Sequence, residues 1–122
     1  MRVCILGSGL TALTLAKALV NQNIFVDLIS SNKNYKINHS RTIGISKSNF
    51  NYFNMNIINI EKIRWKIKKI EIYTDKNKNE KILNFENSTQ LFSIIKNHEL
   101  YEVLSKNLSK NKYFKKIQSK KK

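Results

Sequence analysis

The chain opens with two apolar runs that flank a helical pattern. Residues Arg2 to Leu6 form a short apolar run that ends at a glycine, which predicts a strand buried on both faces of a parallel sheet. Apolar side chains nearly encircle the predicted helix from Leu10 to Asn21, so we expect this helix to be packed on both sides. Ile24 to Ile29 then predicts a second strand. Because a helix connects the two strands, they should be parallel with a right-handed crossover.

The remainder of the chain alternates short strands and helices. Ser46 or Ser48 is expected to cap a short helix, and Phe50, Tyr52 and Phe53 of that helix are expected to serve a core. The pattern then predicts a half-buried strand at 66–73, an antiparallel return at 82–85, a third strand at 91–95 and a helix at 97–108. These strands cannot all extend the parallel sheet. They indicate the beginning of a second, antiparallel sheet.

The length of the chain limits it to one domain with one modest core, since it has 122 residues. The predicted fold class is α/β, with a β-α-β unit followed by an antiparallel sheet segment at about 66–96. We assign residues 1–112 to this domain. Residues 113–122 form a lysine-rich tail that starts as a short strand at Tyr113–Phe114 and continues as a solvated terminus.

The charge balance is strongly basic, with 23 Lys and Arg residues against 8 Asp and Glu residues and a net charge of +15. Such a charge suits a nucleic-acid or anionic-membrane binder. However, Lys, Asn and Ile dominate the whole chain, and Arg occurs only at Arg2, Arg41 and Arg64, as A/T-rich codons would produce. We therefore expect no specific nucleic-acid partner. A lysine-rich nucleic-acid binder and peripheral membrane association stay open as alternatives.

The single cysteine and the two histidines suggest no redox or metal chemistry. Cys4 lies in the first apolar run, where we expect a small buried core residue. His39 and His98 are far apart in sequence and have no Cys partner near them, so no metal-ligand spacing is visible. No stretch approaches the roughly 18 apolar residues of a membrane span. The sequence predicts a cytoplasmic protein.

The segment from Gly7 to Ala12, with the sequence Gly7-Ser8-Gly9-Leu10-Thr11-Ala12, fits the dinucleotide-binding pattern G-x-G-x-x-G/A. Gly7 allows the tight turn, Gly9 lets the backbone approach a pyrophosphate, and the small Ala12 permits close packing of helix and strand. The helix start offers unpaired N–H groups and a positive dipole end to the phosphates. Its position between a strand and a helix makes the motif a strong prediction of phosphate binding.

The acidic residue that normally completes this pattern is replaced by a serine. An Asp or Glu about 20 residues after the glycines usually accepts hydrogen bonds from a ribose hydroxyl. Ser30 occupies this position just past the predicted second strand, and Asp27 should point into a packed layer within that strand. Ser30 can still hydrogen-bond a hydroxyl as a neutral partner, with roughly half the strength of a charge-assisted bond.

Two further segments carry a resemblance to a known family. Arg41 to Ser46, RTIGIS, looks like an R-[ST]-x-[AG]-[IL]-S segment, and Ile94 to Leu100, IIKNHEL, looks like an I/V-V-E-N-x-x-L segment. With the glycine motif, they make nearly the whole chain resemble the FAD-dependent aromatic hydroxylases, in particular the ubiquinone-biosynthesis hydroxylases. This resemblance implies a Rossmann-like FAD-binding fold. Lys96 departs from the family, which often has Glu there.

The resemblance also implies roles for individual residues. Gly7, Gly9 and Ala12 would face the FAD pyrophosphate, Arg41 would reach the phosphate or ribose region, and Asn97 would lie near the flavin side of the interface. A surface cation is the structural alternative for Arg41. A helix N-cap is the alternative for Asn97.

The family's chain is much longer than this one. Its remainder supplies a second glycine-aspartate segment for FAD, most of the substrate sheet and the C-terminal part. We therefore interpret the chain as the N-terminal FAD-binding portion of a flavin-dependent monooxygenase, truncated or split from its remainder and inactive alone. Only a completing chain would provide a site for an aromatic or quinone-precursor substrate. The alternative is a small non-catalytic nucleotide-binding or interaction module.

Overall fold

A computed structural model describes residues 1–30, 39–67, 69–73, 81–86 and 92–118, with backbone alone for 81–86. Eleven strands and helices lie in these residues. In chain order they are β1 (Arg2–Leu6), α1 (Leu10–Val20), β2 (Phe25–Ser30), β3 (Thr42–Ser46), α2 (Lys47–Asn56), β4 (Arg64–Ile67), β5 (Lys69–Tyr73), β6 (Lys81–Glu86), β7 (Phe92–Lys96), α3 (Asn97–Ser109) and β8 (Phe114–Gln118). A short 3₁₀ turn, Glu61–Ile63, precedes β4.

The predicted parallel β-α-β unit is confirmed. β1 and β2 pair in parallel, with Arg2 opposite Phe25 and Leu6 opposite Ile29, and α1 connects them. A third strand, β8, pairs in parallel with the other side of β2, so the sheet order is β1-β2-β8. The strand predicted at Tyr113–Phe114 is therefore present but longer than expected. It begins at Phe114 and continues to Gln118 through lysines that were expected in a solvated tail.

Helices cover one face of this parallel sheet in the described part of the chain. α1 and α3 pack on it, and Ile5, Val26 and Leu28 are buried beneath them. The prediction that β1 is buried on both faces was wrong. Cys4, predicted to be buried, is exposed on the opposite face. Asp27 was expected to point into a packed layer, and instead it forms an ion pair with Arg2 at 2.9 Å.

Helix α1 packs on one side only, which corrects the expectation that it is enclosed. Leu13, Ala16 and Val20 are buried, whereas Leu15 is exposed. The difference arises because the sheet and α3 contact one side of the helix, and the side with Leu15 faces a groove. An apolar helix surface is thus left open to solvent.

The end of α1 is fixed to the end of α2 by a polar contact. The side-chain amide of Asn21 donates to the carbonyl oxygens of Asn56 and Ile57, each at 2.9 Å. Lys17 Nζ donates to Asn21 Oδ1 at 2.8 Å, and partial burial lowers the pKa of Lys17 from its ordinary value. These bonds connect the β-α-β unit with the C-terminal end of α2.

The antiparallel part consists of a three-stranded sheet and a hairpin. β7 lies between β3 and β4 and is antiparallel to both, and β5 pairs with β6. The strand predicted at 66–73 is in fact two strands, β4 and β5, that belong to different sheets. The antiparallel return at 82–85 is confirmed by β6. The prediction failed at 66–73 because the alternation of side chains continues across both strands and does not reveal the change of partner.

The predicted capping residue of α2 is confirmed, whereas the capping residue considered for α3 is not. Ser46 caps α2, because its Oγ accepts a hydrogen bond from the Asn49 backbone N–H at 3.2 Å. Phe50 is buried as predicted, but Tyr52 projects into solvent. The N-cap of α3 is Lys96, so the alternative that Asn97 is an N-cap is wrong.

One core cluster joins α1, α2 and α3 with residues of both three-stranded sheets. α1 contributes Leu13, Ala16 and Val20, and α3 contributes apolar residues spaced along its buried side. The buried members are Ile5, Leu13, Ala16, Val20, Val26, Leu28, Phe50, Ile57, Ile60, Ile95, Leu100, Leu104 and Leu108.

Candidate functional site

The turn between β1 and α1 depends on a glycine at its first position. Gly7 has φ of 144°, a conformation that residues with a Cβ rarely adopt. Its N–H donates to the Ile29 carbonyl oxygen at 3.0 Å, which ties the turn to the end of β2. A Cβ placed on Gly7 would lie 3.5 Å from the Ala12 Cβ. The small residue at position 12 therefore lets helix and turn approach closely, as the motif predicts.

Gly9 is the N-cap of α1 and leaves open space in front of the helix. Its backbone is extended, with φ of −84° and ψ of −176°, so the conformation does not itself require glycine. A Cβ at this position would meet no heavy atom within 4 Å. Gly9 has no side chain that could cap the first turn, which holds no acidic residue. The N–H groups of this turn lack intrahelical acceptors and can bind an anion.

An apolar groove begins at this helix start. Its volume is about 490 Å³, and it separates α1 from β3, β7 and the first turn of α3. The Thr11 and Thr14 side chains are its polar members on α1. The lining residues are Leu10, Thr11, Thr14, Leu15, Ala18, Ile43, Ile45, Phe53, Ile60, Ile95 and Leu100. The glycine motif thus lies at the entrance to a cleft between the two sheets.

The structure brings Arg41 and Asn97 together although 55 residues separate them in the sequence. The Asn97 N–H donates to the Arg41 carbonyl oxygen at 3.0 Å, and the β3–β7 pairing begins at the next residues, Thr42 and Lys96. The Arg41 side chain is exposed. Ile43 and Ile95, two residues away from this contact, line the groove opposite Leu10 and Thr11.

The two histidines, which are far apart in sequence, are stacked beside this contact. The rings of His39 and His98 have centroids 4.2 Å apart and an interplanar angle of 20°. Asn97 Oδ1 and His98 Nδ1 are buried without a hydrogen-bond partner within the described ranges. Within the same residues, no group of three His, Cys, Asp or Glu side chains could hold a metal ion. Distance in the sequence was therefore a poor guide to the proximity of the histidines.

Ser30 is the last residue of β2 and lies deep in the structure. It is 2 % exposed and lies on the same face of the sheet as Val26 and Leu28, which the helices cover. Gln118 is its neighbour in the β2–β8 pairing. The contact of Ser30 with a ribose stays a prediction. The predicted cofactor contacts of the other site residues also stay predictions; these residues are Gly7, Ser8, Gly9, Leu10, Thr11, Ala12, Arg41 and Asn97.

The sequence did not indicate that one face of the antiparallel sheet is exposed to solvent. In β3 the exposed residues alternate with partly buried ones, and the exposed residues are Thr42, Gly44 and Ser46. A Cβ on Gly44 would lie 3.6 Å from the Phe92 ring. Trp65 lies on this face, with 61 % exposure, and Lys96 Nζ lies 5.6 Å from its ring centroid. The alternation of small residues in β3 was the signal that could have revealed this face.

Among the described residues, no helix is both long and apolar enough to cross a bilayer.

Comparisons with known proteins identify the fold through solved structures. No family model matches the chain, and no curated protein matches it by sequence. The p-nitrophenol 4-monooxygenase PnpA from Pseudomonas putida DLL-E4 matches with a TM-score of 0.77 and 12% identity, over 96% of this chain and 32% of PnpA. PqsL from P. aeruginosa, in complex with 2-aminobenzoylacetate, matches with a TM-score of 0.76 and 14% identity, over 97% of this chain and 34% of PqsL.

A third solved structure contains the cofactor itself. Klebsiella pneumoniae HpxO, complexed with FAD and uric acid, matches with a TM-score of 0.72 and 15% identity, over 95% of this chain and 30% of HpxO. The chain thus spans about a third of the length of the solved structures it matches.

The architecture is a mixed α/β fold with a parallel sheet and an antiparallel sheet, as the sequence predicted. More specifically, it is the fold of part of the FAD-dependent aromatic monooxygenases. The resemblance to FAD-dependent hydroxylases is confirmed at the level of the fold.

Proposed function

We propose that this chain is the N-terminal FAD-binding portion of a flavin-dependent aromatic hydroxylase of the ubiquinone-biosynthesis type. In this proposal the chain holds one end of the cofactor and requires the rest of the fold for catalysis. The observation that carries the proposal is the open space at Gly9 in front of an uncapped helix start, within a fold shared with HpxO, whose structure contains FAD.

The glycine turn suits a pyrophosphate in both shape and charge. The space where a Gly9 Cβ would lie holds no protein atom, so a phosphate can approach the backbone N–H groups directly. The positive end of the α1 dipole favours a negatively charged group at the same place. We assign Gly7, Ser8, Gly9, Leu10, Thr11 and Ala12 to this contact.

The second contact would come from the junction of β3 and α3. The Arg41 guanidinium is exposed next to the contact with Asn97, where it can pair with a phosphate as a bidentate donor. Asn97 Oδ1 is buried and without a partner in the described structure, so it can accept a hydrogen bond from a ligand. Ser30 would contribute a neutral hydrogen bond to the ribose.

Bound FAD would supply the redox and oxygen chemistry, and the protein would orient the cofactor and exclude water. An aromatic or quinone-precursor substrate would bind only after a complementing chain closes the site. We therefore expect a cytoplasmic fragment that is inactive alone, with peripheral membrane association open as an alternative. The share of PnpA that the chain covers, 32%, supports only the part of this proposal that treats the chain as one portion of a larger fold.

Titration of the purified chain with FAD tests the cofactor assignment. Binding should quench flavin fluorescence and stabilise the fold by about 2.7 kcal/mol at a free FAD concentration of roughly 100 times Kd. Substitution Gly9→Val should abolish both effects, because the new side chain fills the space in front of α1. Without FAD the melting temperature should fall modestly, because valine is a less favourable N-cap than glycine, although the backbone of Gly9 is in a region open to any residue.

Two results would contradict the proposal. Equal FAD binding by the Gly9→Val variant would exclude the glycine turn as the cofactor contact. Absence of any FAD effect, together with binding of ADP, would favour the alternative of a small nucleotide-binding module without redox chemistry.

A further inference from the structure

The parallel sheet has a second face that no helix or strand covers in the described part of the chain. Alternation along the strands places Cys4, Leu6, Phe25, Ile29 and Ile117 on this face, which we call the open face. Leu6 is 78 % exposed, and Cys4 and Phe25 are also exposed. In parallel sheets both faces are usually covered, and the strands are correspondingly apolar. The open face is therefore unusual for a sheet of this type.

The charges on the open face do not suit a nucleic acid. Arg2 and Asp27 lie on it and pair with each other at 2.9 Å, so their charges cancel locally, and Lys115, opposite Asp27 in the β2–β8 pairing, adds one exposed positive charge. The face offers apolar surface instead, from Cys4 and Leu6 on β1 and from the paired residues Ile29 and Ile117 on β2 and β8. The net charge of +15 is thus not concentrated at this face. An apolar face of this kind is suited to another polypeptide.

The size of the matching structures indicates which polypeptide this is. The chain corresponds to 32% of PnpA and 30% of HpxO, so about two thirds of each matching protein lies outside the shared part. A third of such a fold exposes apolar surface wherever the remainder would pack against it. A second copy of the chain would cover the face but would not supply the remainder.

We infer that the open face is the docking surface for the polypeptide that supplies the remaining two thirds of the monooxygenase fold. This inference rests on the proposed function, because it assumes that the chain works as part of a larger flavoprotein. It goes further by naming the surface: Leu6 and Cys4 on β1, Phe25 and Ile29 on β2, and Ile117 on β8 become buried together.

Site-specific photo-crosslinking tests the inference in cells that produce the chain. A photoreactive amino acid at Leu6 should give a product of about three times the mass of the free chain, because the chain covers 32% of PnpA. Peptide sequencing of the added part should match the portion of the flavin monooxygenases that this chain lacks. Met55 on α2 provides a matched control, since it is apolar and 85 % exposed but lies in the other half of the fold. The same group at Met55 should give much less of this product.

The single cysteine provides an independent measurement on the unmodified chain. Cys4 should react with a thiol reagent in the isolated chain and should be protected in the complex purified from the same cells. A product of twice the chain mass, a crosslinked protein of another kind, no product at Leu6, or unprotected Cys4 in the complex would each overturn the inference. None of these results depends on flavin. Failure of FAD titration with intact crosslinking would therefore contradict the proposed function and leave the docking surface in place.

Discussion

Gly7 has a backbone conformation that other residues rarely adopt. Its φ of 144° lies in a region that costs a residue with a Cβ about 1–3 kcal/mol. The nearest atom to a new Cβ would be the Ala12 Cβ at 3.5 Å, which is ordinary contact, so the cost comes from the backbone. We expect Gly7→Ala to lower the free energy of unfolding by this amount, as measured by urea denaturation with circular dichroism.

Gly44 provides the control for this prediction. It has no positive φ, and its new Cβ would contact the Phe92 ring at 3.6 Å. Gly44→Ala should leave stability unchanged or raise it by about 0.5–1 kcal/mol, because glycine weakens a strand. Equal effects of the two substitutions would show that the turn does not require glycine.

At the scale of single elements, Ser46 determines the start of α2. Its Oγ accepts the Asn49 N–H at 3.2 Å, and loss of such a cap costs about 0.5–2 kcal/mol. Ser46→Ala should lower the melting temperature accordingly in a thermal scan. Ser48→Ala is the matched control, because within the described residues the Ser48 hydroxyl contacts Ser46 Oγ, at 3.3 Å, and caps no backbone N–H. If Ser48→Ala were the more destabilising change, the assignment of the cap would be wrong.

Element boundaries followed from local signals where those signals were strong. The helix start at Leu10 was predicted from the preceding glycines, and the start of α3 from the change of periodicity near Asn97. The extent of β8 could not be predicted, because lysines at 115 and 116 are equally typical of a solvated tail. They lie in a strand because β2 offers a free edge that can form backbone hydrogen bonds with this segment.

At the scale of the whole molecule, one core determines stability. Leu104 is fully buried in α3 and belongs to the cluster that includes residues of both three-stranded sheets. Leu104→Ala should cost about 2–5 kcal/mol, from lost burial and the cavity that remains. The control Leu15→Ala should cost much less, because Leu15 is exposed in the groove.

The fluorescence of the single tryptophan tests whether the two halves of the molecule share one core. Trp65 lies in β4 of the antiparallel sheet, so its fluorescence reports on the part of the molecule that does not contain Leu104. The fluorescence transition of Leu104→Ala should shift to lower urea together with the circular dichroism transition. An unchanged fluorescence transition would mean that the two halves unfold separately.

The candidate site was predictable to different degrees in its two parts. The segment from Gly7 to Ala12 is contiguous, so the sequence alone placed a turn and a helix start there. The contact between Arg41 and Asn97 depends on the antiparallel pairing of β3 and β7, which no local pattern shows. The roles of these residues came from a resemblance, and their proximity came from the structure. The stacking of His39 on His98 escaped prediction for the same reason.

The sequence by itself determined the β-α-β unit, the glycine turn and the presence of antiparallel strands. These features depend on neighbouring residues, through backbone conformation and side-chain periodicity. Only the tertiary structure decided which faces are covered, because burial depends on elements that are distant in the chain. For this reason Cys4, in an apolar strand, is exposed, and Ser30, a polar residue, is buried. In the described part of the chain, the open face of the parallel sheet follows from the arrangement of α1 and α3 on one side alone.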